Sequence, residues 1–257
     1  MTSVSPPPPQ LEWAWFFDID GTVAQLELSP GAVRVDLVMQ YLIAALHDQT
    51  GGAVALISGR SLRDIDLLFP NFSIAAAGQH GAERRHADGA IVRQPAPSAS
   101  LLAMRDALRD VERRHVGLLL EDKGLSLALH YRQAPRLGAF VEREVRALFV
   151  NMGPGYQLQT GKCVVEIVPV GHTKGTVIGE FMMEAPFHGR VPVVLGDDIT
   201  DENAFDIVNN LGGVSIKVGA GPTQANYRLI DVSSVRTWLS TLSPLTYIQF
   251  SDAGETV

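Results

Sequence analysis

Two kinds of apolar pattern alternate along the chain. The runs "WAWFFDI" at 13–19 and "GAVALISGR" at 52–60 are short and rich in β-forming residues, which predicts strands. Between them "RVDLVMQYLIAALHDQTGG" repeats its apolar positions at helical spacing and stops on glycine, which predicts a helix. A strand, a helix and a strand in that order predict a parallel pairing. "FSIAAAGQHGAE" at 72–83, "VPVVLGDD" at 191–198 and "GGVSIKVG" at 212–219 add three strands, and "TKGTVIGEFMMEA" and "TDENAFDIVNNL" two helices.

The middle of the chain reads differently. "SASLLAMRDALRDVERRHVG" and "PRLGAFVEREVRALFVNM" are helical in pattern, whereas "LLLEDKGLSLALHYR" and "YQLQTGKCVVEIVP" each read as a pair of strands. Helices beside hairpins predict an α+β unit of its own. The expected organisation is an α/β protein: a Rossmann-like parallel sheet from 11–87 and 165–242, with a smaller α+β domain inserted at 88–164. The ends at 1–10 and 243–257 read as flexible tails.

With 257 residues, 46% hydrophobic and 19% charged, the chain can bury a sizeable core. The net charge of −7 gives no general attraction to nucleic acid or anionic lipid, so neither is an expected partner. No apolar run approaches the roughly 20 residues needed to cross a bilayer. Cys163, the single cysteine, excludes an internal disulfide and reads as a packing residue. No export signal is visible, so a cytoplasmic location is expected.

Acids collect where strands end. "DIDGT" supplies Asp18 and Asp20, and "GDDITDE" supplies Asp197, Asp198 and Asp201. Ligands of parallel α/β sheets lie outside the carboxyl ends of the strands, so two clusters from separate strands could meet on one hard cation. Magnesium suits them, because it takes one or two carboxylates and keeps waters and substrate phosphate. Helix capping is the alternative reading and accounts for one acid per loop.

Ser58, in "SGR" at 58–60, and Lys174, at the start of a helix, also fall at strand ends. Taken alone, Ser58 reads as an N-cap or a ligand group, and Lys174 as a surface residue. The succession Asp-x-Asp, Ser, Lys and Asp-Asp resembles the haloacid dehalogenase superfamily of phosphotransferases. The resemblance runs from Trp13 to about Leu239 and implies that superfamily's fold. It further implies Asp18 as the nucleophile forming an aspartyl-phosphate, Asp20 as general acid and base, and Ser58 and Lys174 on the phosphoryl group. Magnesium would be held by Asp18, Asp197 and the main-chain carbonyl of Asp20, with Asp198 and Asp201 acting through water or on Lys174. Thr22 either orders its loop or touches phosphate, and Gly59 and Arg60 accompany Ser58 as substrate contacts.

"GQHGAE", "EDKGLSLALHYRQAP" and "GKCVVEIVPVGHTKG" resemble trehalose-6-phosphate phosphatases. That likeness implies trehalose 6-phosphate as substrate and the final step of trehalose biosynthesis, with a functional link to a trehalose-phosphate synthase. Glu121, Lys123 and Glu166 would hold the glucose remote from the phosphate, and His80, Glu83, His130 and Arg132 lie in neighbouring motifs. Without the likeness, Glu121 and Lys123 read as a solvated strand face and His130 as a structural histidine. Glu166 interrupts the apolar "CVVEIV", where an unpartnered carboxylate is costly, though alternation leaves a solvated face open. The competing readings are a phosphatase of another sugar phosphate, such as a sucrose- or mannosyl-phosphate compound, and a non-catalytic sugar-phosphate sensor. A monomer is the default oligomeric state.

Overall fold

The computed structural model describes residues 4–93 and 98–242. In chain order the elements are β1 (Trp13–Phe17), α1 (Leu37–Gln49), β2 (Val54–Ile57), α2 (Leu62–Leu68), β3 (Ala75–Gly78), β4 (Glu83–Arg85) and β5 (Ile91–Arg93). There follow α3 (Ala99–Arg114), β6 (Leu119–Asp122), β7 (Leu127–His130), α4 (Gly138–Phe149), β8 (Tyr156–Gly161) and β9 (Val164–Pro169). The chain then forms α5 (Lys174–Phe181), β10 (Val191–Gly196), α6 (Glu202–Asn210), β11 (Val214–Val218), β12 (Tyr227–Leu229) and α7 (Val232–Leu239).

The first sheet has the order β12-β11-β10-β1-β2-β3-β4-β5. Its strands are parallel from β12 to β3, and β4 and β5 close the edge antiparallel. All five residues of β1 are buried, because the strand has helices on both sides. Trp13, Trp15 and Phe17 pack into an apolar cluster with α1, α2 and α7. Ala14 and Phe16 face the other way, against Ile178 and Phe181 of α5 and Phe205 of α6. The period of two thus splits one apolar run between two cores. Each fully buried aromatic contributes about 1.5–3 kcal/mol, so β1 is held against sliding along its axis.

From β1 the chain builds outward through β2 and β3, then returns to the opposite side of β1 through β10, β11 and β12. The reversal lies between β1 and β10, the place where open α/β sheets open a crevice for ligands. Asp18 directly follows β1, and Asp197 directly follows β10. The Asp18 N–H donates to Leu195 O at 3.0 Å, tying the two strand ends together.

The second sheet is antiparallel, in the order β6-β7-β9-β8. It packs α3 and α4 around Leu108, Leu127, Leu129, Val141, Val145 and Ile167. Both expected edges of the inserted domain move. β5 is an edge strand of the first sheet, so the insertion starts beyond 88. β9 belongs wholly to the second sheet, which carries the insertion through Pro169 rather than 164. The physical reason is the tight turn at Lys162-Cys163, which makes β8 and β9 one hairpin paired from Gly161↔Val164 to Tyr156↔Pro169.

The expected N-terminal tail also differs over its described part. Trp238 Nε1 donates to Pro7 O at 2.9 Å, Arg228 N–H donates to Val4 O at 3.0 Å, and Pro9 is buried. Residues 1–3 and the expected tail at 243–257 lie outside the described residues.

Candidate active site

One cavity opens between the two sheets. Its lining includes Asp18, Asp20, Ser58, Gly59, Arg60, Lys174, Asp197 and Asp198 from the first sheet, and Glu121, Lys123, His130, Arg132, Lys162 and Glu166 from the second. His80 completes the wall. Residues far apart in sequence therefore meet in one place, as the Lys174 to Asp18 contact across 156 positions illustrates.

At the first-sheet end, Lys174 Nζ donates to Asp18 Oδ1 at 2.6 Å and to Asp201 Oδ1 at 2.7 Å. Lys174 begins α5 behind the N-cap Thr173, which forms a reciprocal capping box with Thr176. It is buried, which removes the surface-lysine alternative. Burial alone lowers an ammonium pKa, but the Asp18 and Asp201 carboxylates outweigh it and raise Lys174 well above its ordinary value.

Carboxylates nonetheless dominate this end. Burial raises Asp18 well above the ordinary aspartate value, and the Asp201 and Asp197 charges add to the rise against the pull of Lys174. Burial raises Asp197 too, although Lys162 opposes it. Asp18, Asp197 and Asp201 are all buried, and one carboxylate oxygen from each lies within 4.8 Å of the others. An acidic group this close, all oxygen and with Asp18 and Asp197 raised by burial despite the lysines around them, fits a hard divalent cation. Asp201 is the most occupied of the three: its Oδ2 accepts from Asp197 N–H and Asp198 N–H, both at 3.0 Å, while its Oδ1 takes Lys174. It shapes the loop that presents Asp197. Asp198 Oδ1 accepts from Ile199 N–H at 2.6 Å, as a cap.

Gly21 allows this convergence. It has φ +85°, and a Cβ there would overlap the Asp197 carboxylate. Thr22, expected as a possible phosphate contact, is fully buried and its Oγ1 donates to Asp18 Oδ2 at 3.1 Å. Its side chain orients the nucleophile candidate instead.

Ser58 follows β2, and its Oγ accepts from Arg60 N–H at 3.1 Å. The N-cap of α2 is Ser61, which accepts from Asp64 N–H, so the capping alternative for Ser58 fails. Arg60, expected as a substrate contact, lines the cavity and is engaged with Asp20. Its Nε and Nη2 each donate to Asp20 at 2.7 Å, a bidentate fork that holds the acid-base candidate. Gly59 packs under His80, whose Nε2 lies 2.8 Å from where a Cβ at position 59 would stand.

At the second-sheet end the charges pair. Lys123 Nζ donates to Glu166 Oε1 at 2.7 Å, and Glu166 Oε2 lies 3.1 Å from His80 Nε2. Burial raises the Glu166 pKa, but Lys123 and His80 outweigh it and hold Glu166 well below the ordinary value. Glu121 is likewise lowered against burial, by Lys123 and by His130, whose Nε2 is 2.8 Å from Glu121 Oε2. Lys123 is raised against burial by Glu166 and Glu121. The solvated-face readings of Lys123 and Glu166 fail, since their side chains are 6% and 9% exposed. Arg132 bridges the sheets, donating to Glu27 O at 3.2 Å and Lys162 O at 3.1 Å. Glu83 accepts from Leu62 N–H at 2.8 Å and serves α2.

Lys162 escaped the sequence reading. It sits in the β8–β9 turn, yet its Nζ donates to Asp197 Oδ2 at 2.5 Å and Asp197 O at 2.9 Å. Its presence in "GKC", beside Glu166, was the available signal, but a lysine in a two-residue turn looks solvated.

The fold and the site define a class before any individual relative does. The fold is that of haloacid dehalogenase-type hydrolases: a haloacid dehalogenase-like hydrolase from B. subtilis superposes with TM-score 0.61 at 11% identity, covering 90% of this chain and 100% of the other. The C-terminal domain of C. albicans trehalose-6-phosphate phosphatase superposes with TM-score 0.81 at 20% identity, covering 91% of this chain and 93% of that one. The family model of trehalose-phosphatase matches residues 16–233. The trehalose-6-phosphate phosphatase of Escherichia coli K12 is 45% identical over 237 residues, 90% of this chain and 87% of the relative. A probable trehalose-phosphate phosphatase of Sinorhizobium fredii is 38% identical over 92% of this chain and 88% of the relative. The chain belongs to the trehalose-phosphatase family.

Proposed function

We propose that the protein hydrolyses trehalose 6-phosphate to trehalose and phosphate through an aspartyl-phosphate on Asp18. The observation that carries this reading is the single cavity with Asp18, Asp20, Ser58 and Lys174 at one end and Glu121, Lys123 and Glu166 at the other. A phosphorylated disaccharide has a matching division, with charge at one end and a ring of hydroxyls at the other. The names of the E. coli and S. fredii relatives support the same substrate.

In the proposed reaction an Asp18 carboxylate oxygen attacks phosphorus as the bond from phosphorus to the sugar oxygen breaks. Lys174 and Thr22 orient the carboxylate, and Lys174 also offsets its repulsion from the phosphoryl oxygens. Ser58 Oγ donates a hydrogen bond to the transferring group. Asp20 gives its proton to the departing sugar oxygen, then takes one from the water that cleaves the aspartyl-phosphate. For this Asp20 must leave the Arg60 fork in which it rests. Magnesium, held by Asp18, Asp197 and the carbonyl of Asp20, would supply charge neutralisation and polarise the phosphoryl oxygens.

Lys123, Glu121 and Glu166 would bind the remote glucose through charge-assisted hydrogen bonds. The inserted unit, from about residue 98 to Pro169, acts as a cap that closes over the sugar and opens for release. The reading places the step in the cytoplasm, after a trehalose-phosphate synthase that supplies the substrate, and takes the protein as a monomer. The test is phosphate release by purified protein from trehalose 6-phosphate, sucrose 6-phosphate, a mannosyl phosphate and glucose 6-phosphate, with and without magnesium. Magnesium-dependent release, fastest from trehalose 6-phosphate, is expected. A faster sucrose or mannosyl compound, or no turnover, contradicts it.

A further inference from the structure

As the chain leaves β3 it passes through three successive residues with positive φ: Gln79 at 49°, His80 at 59° and Gly81 at 110°. Glycine tolerates this region, but L side chains disfavour it. Among the described residues Cys163 is the one other non-glycine residue there, so two in succession need a strong external hold.

The main chain and the side chains are held by different parts of the molecule. Gln79 N–H donates to Arg60 O at 2.8 Å, and His80 N–H donates to Ser58 O at 3.0 Å. Both backbone bonds go to the loop that carries Ser58. The side chains point the other way, into the second sheet. Gln79 is 1% exposed, and its Oε1 accepts from Ser126 Oγ at 2.8 Å and from Leu125 N–H at 3.2 Å. Leu125 and Ser126 belong to the turn between β6 and β7, which Lys123 N–H closes by donating to Ser126 O at 3.1 Å. Lys123 then extends to Glu166, which His80 meets from the other side.

A continuous set of bonds therefore runs from the Ser58 loop through Gln79 to the turn bearing Lys123. We propose that Gln79 is a positioning residue, whose buried amide oxygen sets the sugar-binding turn at a fixed distance from the phosphoryl-binding loop. The proposal rests on the reading of Lys123 as a sugar contact. The left-handed backbone at 79 aims the side chain out of the first sheet, and its two methylenes give it the reach to gather both donors. By making these bonds Gln79 favours the geometry in which phosphate and remote glucose are held together.

The experiment compares kcat and KM on trehalose 6-phosphate and on p-nitrophenyl phosphate, with magnesium, for wild type, Gln79→Met, Ser126→Ala, their double variant, Gln79→Glu and Lys123→Ala. Gln79→Met keeps the volume and removes the acceptor. It is expected to lower kcat/KM on trehalose 6-phosphate about tenfold more than on p-nitrophenyl phosphate, mainly through KM. Ser126→Ala acts in the same direction by a smaller factor, and the double variant is no worse than Gln79→Met, because the two share one bond. Gln79→Glu, which keeps an acceptor oxygen at the same reach, restores most of the selectivity. Equal losses on both substrates, no loss on trehalose 6-phosphate, or multiplicative losses in the double variant overturn the proposal. If Gln79→Met fails to fold, Ser126→Ala and Gln79→Glu still decide, since a purely structural bond predicts equal losses on both substrates. Lys123→Ala separates the two layers: if it too is unselective, the sugar-site reading fails, and if it alone is selective, only the role of Gln79 falls.

Discussion

The two ends of the cavity handle buried charge in opposite ways. At the first-sheet end, Asp18, Asp197 and Asp201 share Lys174 and the borrowed Lys162, with Lys217 donating to Asp197 O at 2.8 Å, yet burial with mutual repulsion still raises Asp18 and Asp197. At the second-sheet end, Glu121 and Glu166 surround Lys123 and two histidines, and both carboxylates are lowered despite burial. Buried carboxylates are under-compensated in one place, where burial outweighs the lysines, and compensated in the other, where it does not. What differs is the scaffold. Parallel strands deliver several chain exits to one edge, which concentrates acids there, whereas antiparallel neighbours face Ala128, beside Glu121, directly opposite Glu166 and leave room for a lysine between the acids. An end with under-compensated carboxylates favours a cation, which in turn attracts the anionic group of the substrate, and a compensated end suits neutral hydroxyls.

The largest effect should come from the deficient end. Asp18→Asn is expected to lower turnover by about 10⁴-fold or more, measured as phosphate release with magnesium present. The same variant should melt higher than wild type in EDTA. A carboxyl group raised on folding binds its proton more tightly in the native state, so its ionised form destabilises the native protein as pH rises through the raised value. A lower melting temperature in EDTA would mean that Lys174 fully compensates Asp18 and would remove the contrast between the ends.

Lys123→Ala attacks the compensated end. A loss of about 100-fold in kcat/KM on trehalose 6-phosphate is expected, with p-nitrophenyl phosphate within about threefold of wild type. Equal losses would mean that the lysine serves the whole fold. Magnesium sharpens the contrast from the other direction: at about a hundred times its Kd it should stabilise the protein by about 2.7 kcal/mol, read as a rise in Tm. Asp197→Asn should cancel that rise and Glu121→Gln should not.

The smallest expected effect is on stability. Glu166→Gln leaves Lys123 and His80 facing a neutral partner and should cost about 2 kcal/mol at neutral pH. The folded value of Glu166 is depressed, so this contribution is present above the ordinary value of 4.5 and is lost as pH falls through the folded one. The Tm gap between variant and wild type should be constant from about pH 8 to about pH 5 and close in more acid solution. A gap that persists unchanged in acid would contradict it.

Much of the deficient end is legible along the chain, because a buried strand ending on acids is a local signal: "WAWFFDID" and "VPVVLGDD" carry both the strand and its carboxylates. The compensated end is less so. Glu121, Lys123 and Glu166 sit on half-buried strands whose alternation is the same whether the polar face meets water or a partner, and only family likeness separated those cases. The shortest elements were missed: β4 (Glu-Arg-Arg), β5 (Ile-Val-Arg) and β12 (Tyr-Arg-Leu) have three residues each, too few to establish a period. The edge of the second-sheet unit differs from the expected one because Val164–Pro169 is apolar enough to suit either sheet, and its assignment depends on pairing with β8 and β7. The Arg60–Asp20 fork, the Lys162–Asp197 contact and the Gln79–Ser126 bond span 40, 35 and 47 positions, and no local pattern encodes such distances.

The central claim is that one cavity divides its work, with chemistry at the deficient end and recognition of the remote sugar at the compensated one. Glucose 6-phosphate presents a phosphorylated glucose without a second ring, so the ratio of kcat/KM for trehalose 6-phosphate to that for glucose 6-phosphate isolates the remote sugar. Measured on the purified wild-type protein with magnesium, that ratio is expected to exceed about 100. A ratio near one would contradict the division.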